Sequence, residues 1–179
     1  MDDRMEQRMG IEEDDHVRGK REAEVVVIEY ADFQCPYCAR AHKALASLQQ
    51  QHGERVTLVY RHLPLTDLHP FAQPAAEAAE AAGAQGKFWE MHDALFENQD
   101  MLDEAALPAI AARLQLDAER FRSEFEGGEH RGRVGANAGQ AHALGAKRTP
   151  TFFINGERYQ GDSDHASLAA AVGKALEGA

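Results

Sequence analysis

The stretch that decides the fold runs from Val25 to Cys38 and reads VVVIEYADFQCPYC. Its first part, Val25–Ala31, is a nearly unbroken run of β-branched and aromatic residues, typical of a central strand covered on both faces. A helical stretch follows to about Gln51, and Val56–Tyr60 then predicts a second strand. A crossover of this length between two strands predicts a βαβ unit with parallel strands.

The rest of the chain contains a helical block followed by a second sheet unit. Residues 67–144 have helical patterns throughout, interrupted at Gly86 and at Gly127-Gly128, and Asp117 is the expected cap of a short helix between these two breaks. Sheet signals return at Thr151–Ile154, and Asn155-Gly156 is a strong two-residue hairpin turn that would join this strand to an antiparallel partner, Glu157–Gln160. A closing helix capped by Asp164 completes a ββα unit. The predicted class is therefore α/β: βαβ, an all-helical insertion, then ββα.

The domain prediction separates three parts of the 179-residue chain. Residues 25–66 and 145–179 form one α/β domain, and residues 67–144 are inserted into it as the helical block. Residues 1–24 form an acidic segment that we expect to be flexible. Because this segment has no apolar core of a secretory peptide, we expect a cytoplasmic protein, or a periplasmic or extracellular one if the N-terminus was trimmed.

Composition excludes several classes of function. The net charge is −11, and the cationic side chains are not clustered, so we expect no nucleic-acid partner. No window approaches the roughly 18 apolar residues of a membrane span. The two cysteines stand three positions apart, a placement that makes a structural disulfide improbable.

The chemistry is predicted from Cys35-Pro36-Tyr37-Cys38. At the N-terminus of a helix, free N–H groups and the helix dipole favour a thiolate, so Cys35 is the expected nucleophile. Cys38 lies one turn further and can resolve a mixed disulfide. Pro36 has no N–H, so the donors to the Cys35 sulfur should be the Tyr37 and Cys38 amides and the Cys38 thiol. We expect a depressed but not extreme Cys35 pKa and a reduction potential between roughly −270 and −120 mV.

A metal centre is the alternative use of these cysteines. Together with His42 they form a C-x₂-C-x₃-H pattern, but a structural zinc site needs a fourth ligand and no second pair follows. We therefore predict no metal. His42 is expected at the surface of the first helix, and His92 is expected to pack on the face of an amphipathic helix.

Several motifs together resemble the thioredoxin superfamily, specifically its DsbA-like branch of thiol–disulfide oxidoreductases. The matching pieces are Val25–Cys38, His69-Pro70, Gly86-Lys87-Phe88-Trp89 and Arg148-Thr149-Pro150-Thr151-Phe152. The resemblance extends from about Val25 to Leu176 and is greatest to a bacterial subgroup also found fused to sodium/proton antiporters. It implies a thioredoxin fold with a helical insertion.

The resemblance also implies roles for individual residues. Thr149 and Pro150 would shape a substrate-binding loop facing the cysteines, with a cis peptide before Pro150. Glu29 would lie behind Cys38 and help move its proton, the alternative being a solvated acid at the end of the strand. Catalysis would need no dissociable cofactor. The partners would be protein or peptide thiols and disulfides, with a separate redox partner that resets the dithiol.

Two other functions remain open on this sequence. A glutathione-dependent transferase or isomerase shares the fold but commonly needs one activated group rather than a resolving Cys38. A redox-switched peptide-binding module would use the groove beside Pro150 without turnover. In a reducing cytosol, a site of this kind would more often reduce or isomerise disulfides than install them.

Overall fold

A computed structural model describes residues 9–179 of the chain. Within these residues the five strands are β1 (His16–Arg18), β2 (Val25–Ala31), β3 (Val56–His62), β4 (Thr151–Ile154) and β5 (Glu157–Arg158). The same part of the chain has seven α-helices: α1 (Pro36–His52), α2 (Ala72–Gly83), α3 (Phe88–Glu97), α4 (Ala106–Arg113), α5 (Ala118–Glu126), α6 (Arg131–Ala143) and α7 (His165–Glu177). This mixed α/β arrangement is the thioredoxin-like fold that the sequence predicts.

The strands form one sheet in the order β1-β3-β2-β4-β5. β2 and β3 are parallel, as the βαβ pattern predicts, while β1, β4 and β5 each run antiparallel to their neighbour. β2 lies at the centre and pairs with both β3 and β4. The end of this central strand carries the chain directly into the cysteine motif.

Side-chain alternation along β2 separates two buried layers. Val25 and Val27 pack with α1 and α7 on one face, whereas Ile28 and Tyr30 pack with residues of α6 on the other. Both faces are thus covered, which accounts for the nearly continuous apolar run. Glu29 follows Val27 by two positions, so its side chain lies on the same face of the sheet, the face covered by α1.

The helices α2–α6 lie between β3 and β4 along the chain. Four of them, α2 to α5, share a buried cluster with residues of the cysteine site, including Phe33, Cys35, Cys38 and Tyr60. The helical insertion is therefore part of the wall around the cysteines. Within residues 9–179, no helix is both long enough and apolar enough to cross a membrane.

Local sequence signals for helix ends and turns are confirmed. Asp117 and Asp164 accept backbone N–H bonds at the starts of α5 and α7. Asn155 and Gly156 both have positive φ angles, 49° and 84°, as a type I′ hairpin requires. The second hairpin strand is shorter than Glu157–Gln160, since β5 ends at Arg158.

Part of the segment 1–24, for which the sequence predicts flexibility, forms regular structure in residues 9–24; residues 1–8 lie outside the described part. His16–Arg18 pairs with β3 as an edge strand. Arg61 on β3 is buried, and both oxygens of Asp15 accept hydrogen bonds from it at 2.8 and 2.7 Å. Asp15 thus neutralises the buried Arg61 guanidinium. The polar composition of the segment does not indicate this tertiary contact.

Candidate active site

The two cysteines lie at the start of α1, immediately after the central strand. Cys35 is the N-cap residue, Pro36 is in the first turn, and Cys38 lies one turn inside the helix. The Cys35 N–H donates to the carbonyl oxygen of Asp32 at 3.1 Å, which closes the short loop after β2. Both cysteines are free thiols. Cys35 therefore has the helix-terminal position that favours a thiolate.

The two sulfurs differ in accessibility. The solvent-accessible fraction of Cys35 is 4 %, whereas Cys38 is fully buried. Tyr37, between them, is 56 % exposed. A thiol or disulfide of another molecule can therefore reach Cys35 but not Cys38 without movement of the chain.

Hydrogen bonds to the Cys35 sulfur lower its pKa from about 9 to about 6. The Cys38 thiol makes the largest contribution, and the Thr149 side chain and the backbone N–H groups of Cys38 and Tyr37 add to it, against the opposing effect of burial. These include all three donors expected from the sequence. At pH 7 Cys35 is mostly the thiolate, which is the attacking species in disulfide exchange.

The pKa values of Cys38 and Glu29 are raised, in contrast to the lowered pKa of Cys35. Burial, the hydrogen bond to Cys35 and the charge of Glu29 raise the pKa of Cys38 well above its ordinary value. Glu29 is only 5 % exposed, and burial together with the charge of Cys35 raises its pKa to about 8. The buried thiol thus has a nearby carboxyl whose pKa lies close to neutrality, the range that suits proton transfer.

Thr149 and Pro150 lie against the cysteines from the other half of the chain. The Thr149–Pro150 peptide bond is cis. In its protonated form, the Cys35 thiol donates to the Thr149 carbonyl oxygen at 3.5 Å. The Thr149 hydroxyl is buried and has no partner among the described residues, so it is free to donate to the Cys35 thiolate. This contact exists because β4, which follows directly, pairs with β2.

Asp32 organises the loop before Cys35, a role that the sequence patterns did not reveal. One carboxylate oxygen accepts the Gln34 N–H at 2.7 Å, and the other accepts the Leu65 N–H at 2.9 Å. The second oxygen is also 2.8 Å from Nδ1 of His69. The signal available in the sequence was a lone acid after the apolar strand, followed much later by His69-Pro70.

Gln99 is a second residue missed at the sequence level. It lies in a short 3₁₀ turn, Gln99–Met101, between α3 and α4. Its side-chain amide donates to the carbonyl oxygens of Phe33 at 2.8 Å and of Cys35 at 2.9 Å. The helical insertion therefore holds the backbone of the cysteine loop directly. No spacing or motif marks this glutamine.

The expectation of a surface position for His42 is wrong. Its side chain is only 15 % exposed and stacks on Phe96 with ring centroids 5.0 Å apart. α3 covers this part of α1, an interhelical contact that helix periodicity does not specify. His92 is buried, as predicted. Within residues 9–179, the one group with metal-ligand geometry is His42, His92 and Asp93, which includes neither cysteine.

Comparison with known proteins agrees with this geometry. Residues 12–174 match the family model Thioredoxin_4, described as thioredoxin. A protein of Salinispora tropica named Na(+)/H(+) antiporter NhaA 3 is 50 % identical over 165 residues. That alignment covers 92 % of this chain and 25 % of the relative, so the chain spans about a quarter of the curated relatives it matches. The antiporter-fused subgroup that the sequence resembles is thus represented among its relatives.

Two solved structures are similar over nearly the whole chain. A thioredoxin-like oxidoreductase from Silicibacter pomeroyi is 31 % identical with a TM-score of 0.78, covering 94 % of this chain and 95 % of that one. Pseudomonas aeruginosa DsbA2 is 26 % identical with a TM-score of 0.70, covering 92 % and 95 %. Together with the family match, these similarities show that the chain belongs to the thioredoxin family, within its DsbA-like group of thiol–disulfide oxidoreductases.

Proposed function

We propose that this chain exchanges disulfides with protein substrates through Cys35 and Cys38. The observation that carries the proposal is the Cys35 sulfur itself. It lies at the N-terminus of α1 with a pKa lowered to about 6 and 3.5 Å from the Thr149 carbonyl oxygen. A thiolate at neutral pH beside backbone that can pair with an extended segment suits attack on a polypeptide disulfide.

In the reducing direction, the Cys35 thiolate attacks one sulfur of a substrate disulfide. The substrate S–S bond breaks, a mixed disulfide forms at Cys35, and one substrate thiolate leaves. Formation of the mixed disulfide removes the Cys35 charge that helps to raise the pKa of Glu29, so this carboxyl ionises more readily. Cys38 then gives its proton to the ionised form of Glu29 and attacks the Cys35 sulfur, which forms the Cys35–Cys38 disulfide and releases the second substrate thiolate. Two electrons pass from the dithiol to the substrate. The oxidising direction is the reverse sequence.

The dithiol carries both electrons, so we propose no dissociable cofactor. A redox partner of the dithiol or disulfide class must reset the protein after each turnover. The chain spans about a quarter of the antiporter relatives, and the proposal of disulfide exchange concerns this span alone.

Pro36, Tyr37 and the Thr149–Pro150 loop support this reaction. Pro36 presets the first turn of α1 and leaves the next two N–H groups to the sulfur. The Thr149 carbonyl accepts from the protonated Cys35 thiol, and the Thr149 hydroxyl stabilises the thiolate. The ring of Tyr37, which lies between the two cysteines in the sequence, is exposed. A substrate segment would therefore lie between Tyr37 and Pro150.

The test is insulin reduction and oxidation of a reduced peptide by the purified chain, with Cys35→Ser and Cys38→Ser as a matched pair. We expect both variants to lose turnover, and only Cys38→Ser to accumulate a mixed disulfide with the substrate. Full turnover by Cys38→Ser would instead favour a glutathione-dependent transferase. No exchange by the unmodified protein in either direction would favour a redox-switched binding module.

Equilibration of the dithiol with glutathione measures its reduction potential, which determines the direction of electron flow. A thiolate with a pKa of about 6 stabilises the reduced form relative to thioredoxin, whose pKa is about 7. We therefore expect a reduction potential more positive than the roughly −270 mV of thioredoxin. A more negative value would contradict this assignment.

A further inference from the structure

Three potential metal ligands meet where α3 packs against α1. His42 comes from α1, whereas His92 and Asp93 come from α3. One ring nitrogen of each histidine and one carboxylate oxygen of Asp93 all lie within 4.8 Å of one another. The sequence-based prediction of no metal concerned His42 together with Cys35 and Cys38, and this group contains neither cysteine. The packing of two helices thus gives His42 partners that its own helix pattern does not indicate.

The distances within this group fit a tetrahedral divalent cation. The Asp93 Oδ1 is 2.8 Å from Nδ1 of His92 and 3.9 Å from Nδ1 of His42. Zinc binds histidine nitrogen and carboxylate oxygen at about 2.0–2.2 Å, so two ligand atoms of a tetrahedral site lie about 3.4 Å apart. The two measured distances lie on either side of this value, each within roughly 0.6 Å of it. Small side-chain movements would therefore complete the coordination geometry.

Aromatic neighbours hold both imidazole rings in place. His42 stacks on Phe96 with ring centroids 5.0 Å apart. His92 makes edge contacts with Tyr60 and Trp89, with centroids 4.9 and 4.8 Å apart. The centroids of the two histidine rings are themselves only 5.2 Å apart. Ligands that are already oriented by packing lose little conformational freedom when a metal binds.

All three side chains are in the ionisation state that binds a metal. Burial lowers the pKa of His42, and it lowers the pKa of His92 to about 4, so both rings are neutral at pH 7. Against the effect of burial, hydrogen bonds from His92 and Arg18 lower the pKa of Asp93 to about 2. Metal ions bind neutral imidazole and ionised carboxylate, so no ligand has to lose its charge-bearing proton at neutral pH.

The surroundings of Asp93 orient it and leave a path to solvent. Arg18 on β1 donates to the Asp93 Oδ2 at 2.7 Å, which fixes the carboxylate and leaves Oδ1 directed at the histidines. Hydrogen-bonded partners commonly orient ligating carboxylates in this way. The side chains of His42 and Asp93 are 15 % and 35 % exposed. A cation can therefore enter from solvent, and a water molecule can fill the fourth ligand position.

We propose that His42, His92 and Asp93 bind a divalent transition metal of the zinc class, for which imidazole and carboxylate are suitable ligands. The ion joins α1, which carries the dithiol, to α3 of the helical insertion and stabilises their packing, because it binds only the folded chain. It takes no part in electron transfer, since neither cysteine is a ligand. The proposal does not rest on disulfide exchange.

The test is calorimetric titration of the whole chain with Zn²⁺ in a Cys35→Ser/Cys38→Ser background, in which no thiolate competes for the metal. His42→Gln and Asp93→Asn are added to this background singly, since each removes one ligand and keeps a side chain of similar size. The matched control is His142→Gln on the exposed surface of α6. Thermal unfolding with and without Zn²⁺ is the second measurement, and it also shows that each variant is folded.

We expect the background protein to bind one Zn²⁺ per chain, and His42→Gln and Asp93→Asn to bind it at least about tenfold more weakly. His142→Gln should bind like the background protein. Zn²⁺ should raise the unfolding temperature of these last two proteins and raise it less in the two ligand variants. Absence of saturable binding in the background protein, or equal binding in all four proteins, would overturn the site. Because the background lacks both cysteines, neither outcome bears on disulfide exchange.

Discussion

The thiol of Cys35 donates a hydrogen bond to the carbonyl oxygen of Thr149 at 3.5 Å, although 114 positions separate the two residues. The contact joins the βαβ half of the fold to the ββα half at the point of proposed chemistry. Because β4 pairs with β2 directly after Thr149, the sheet sets this distance. The reactivity of Cys35 therefore depends on pairing between distant parts of the chain.

Removal of the Thr149 hydroxyl should make Cys35 less acidic. Thr149→Val keeps the shape of the side chain but removes a donor that stabilises the thiolate. We expect the pKa of Cys35 to rise from about 6 to about 7, equivalent to about 1.4 kcal/mol. Titration of the thiolate ultraviolet absorbance measures this change, and Thr66→Val in an exposed turn is the control. An unchanged midpoint would show that the hydroxyl does not reach the sulfur.

Replacement of Glu29 by glutamine should stabilise the protein at neutral pH. The pKa of Glu29 is raised from 4.5 to about 8, so between these values the folded protein holds a proton that the unfolded chain has released. Stability is therefore complete below pH 4.5 and falls as the pH rises through this window. We expect Glu29→Gln to raise the free energy of unfolding by about 3 kcal/mol at pH 7 and to leave it nearly unchanged at pH 4.

Urea unfolding at several pH values measures this effect. Glu54→Gln, at an exposed ion pair with Lys20, is the matched control and should change stability by less than about 1 kcal/mol. An equal gain at pH 4 and pH 7 would mean that the effect does not come from the ionisation of Glu29.

Gln99 should act as a positioning residue for Cys35. Gln99→Ala removes both hydrogen bonds to the carbonyl oxygens of Phe33 and Cys35. We expect a loss of about 1–3 kcal/mol of stability and a slower attack on a disulfide substrate, with the pKa of Cys35 nearly unchanged. Rapid-mixing kinetics and thiolate titration separate these effects. The control is Gln51→Ala at the exposed end of α1, and a normal attack rate in Gln99→Ala would contradict the role.

The buried ion pair of Arg61 and Asp15 should hold the N-terminal edge strand in place. Asp15→Ala leaves Arg61, which is 1 % exposed, without its main partner. We expect a loss of about 3–5 kcal/mol, because an uncompensated charge remains buried. Hydrogen exchange should also become faster in β1. Asp14→Ala is the matched control, since Asp14 is 73 % exposed and its ion pair with Arg133 should contribute less than about 1 kcal/mol.

Local patterns were sufficient for much of the fold. The βαβ and ββα units, the Asp117 and Asp164 caps and the Asn155-Gly156 turn all depend on interactions within a few residues. The placement of the cysteines at the start of a helix is also predictable from local sequence, since a strand pattern and then Pro36 mark that position. The resemblance to a family then supplied the cis peptide before Pro150, which no local pattern specifies.

Other parts of the site depend on contacts between distant segments. Gln99 reaches the Cys35 carbonyl across 64 positions, and Asp15 reaches Arg61 across 46. His42 is covered by α3, although its own helix pattern indicated a surface position. Such contacts have no sequence period, because they depend on how whole elements pack against each other.

The sequence by itself determined the strands β2 to β4, the helical block and the identity of the reactive pair, since periodicity and a local motif encode these features, whereas it did not indicate the edge strand β1. Only the tertiary structure decided how far each sulfur is exposed and how deeply the Glu29 carboxyl is buried. The physical reason is that burial and proximity determine the pKa of Cys35 and of Glu29, and both quantities exist only once the sheet and the helices have packed together.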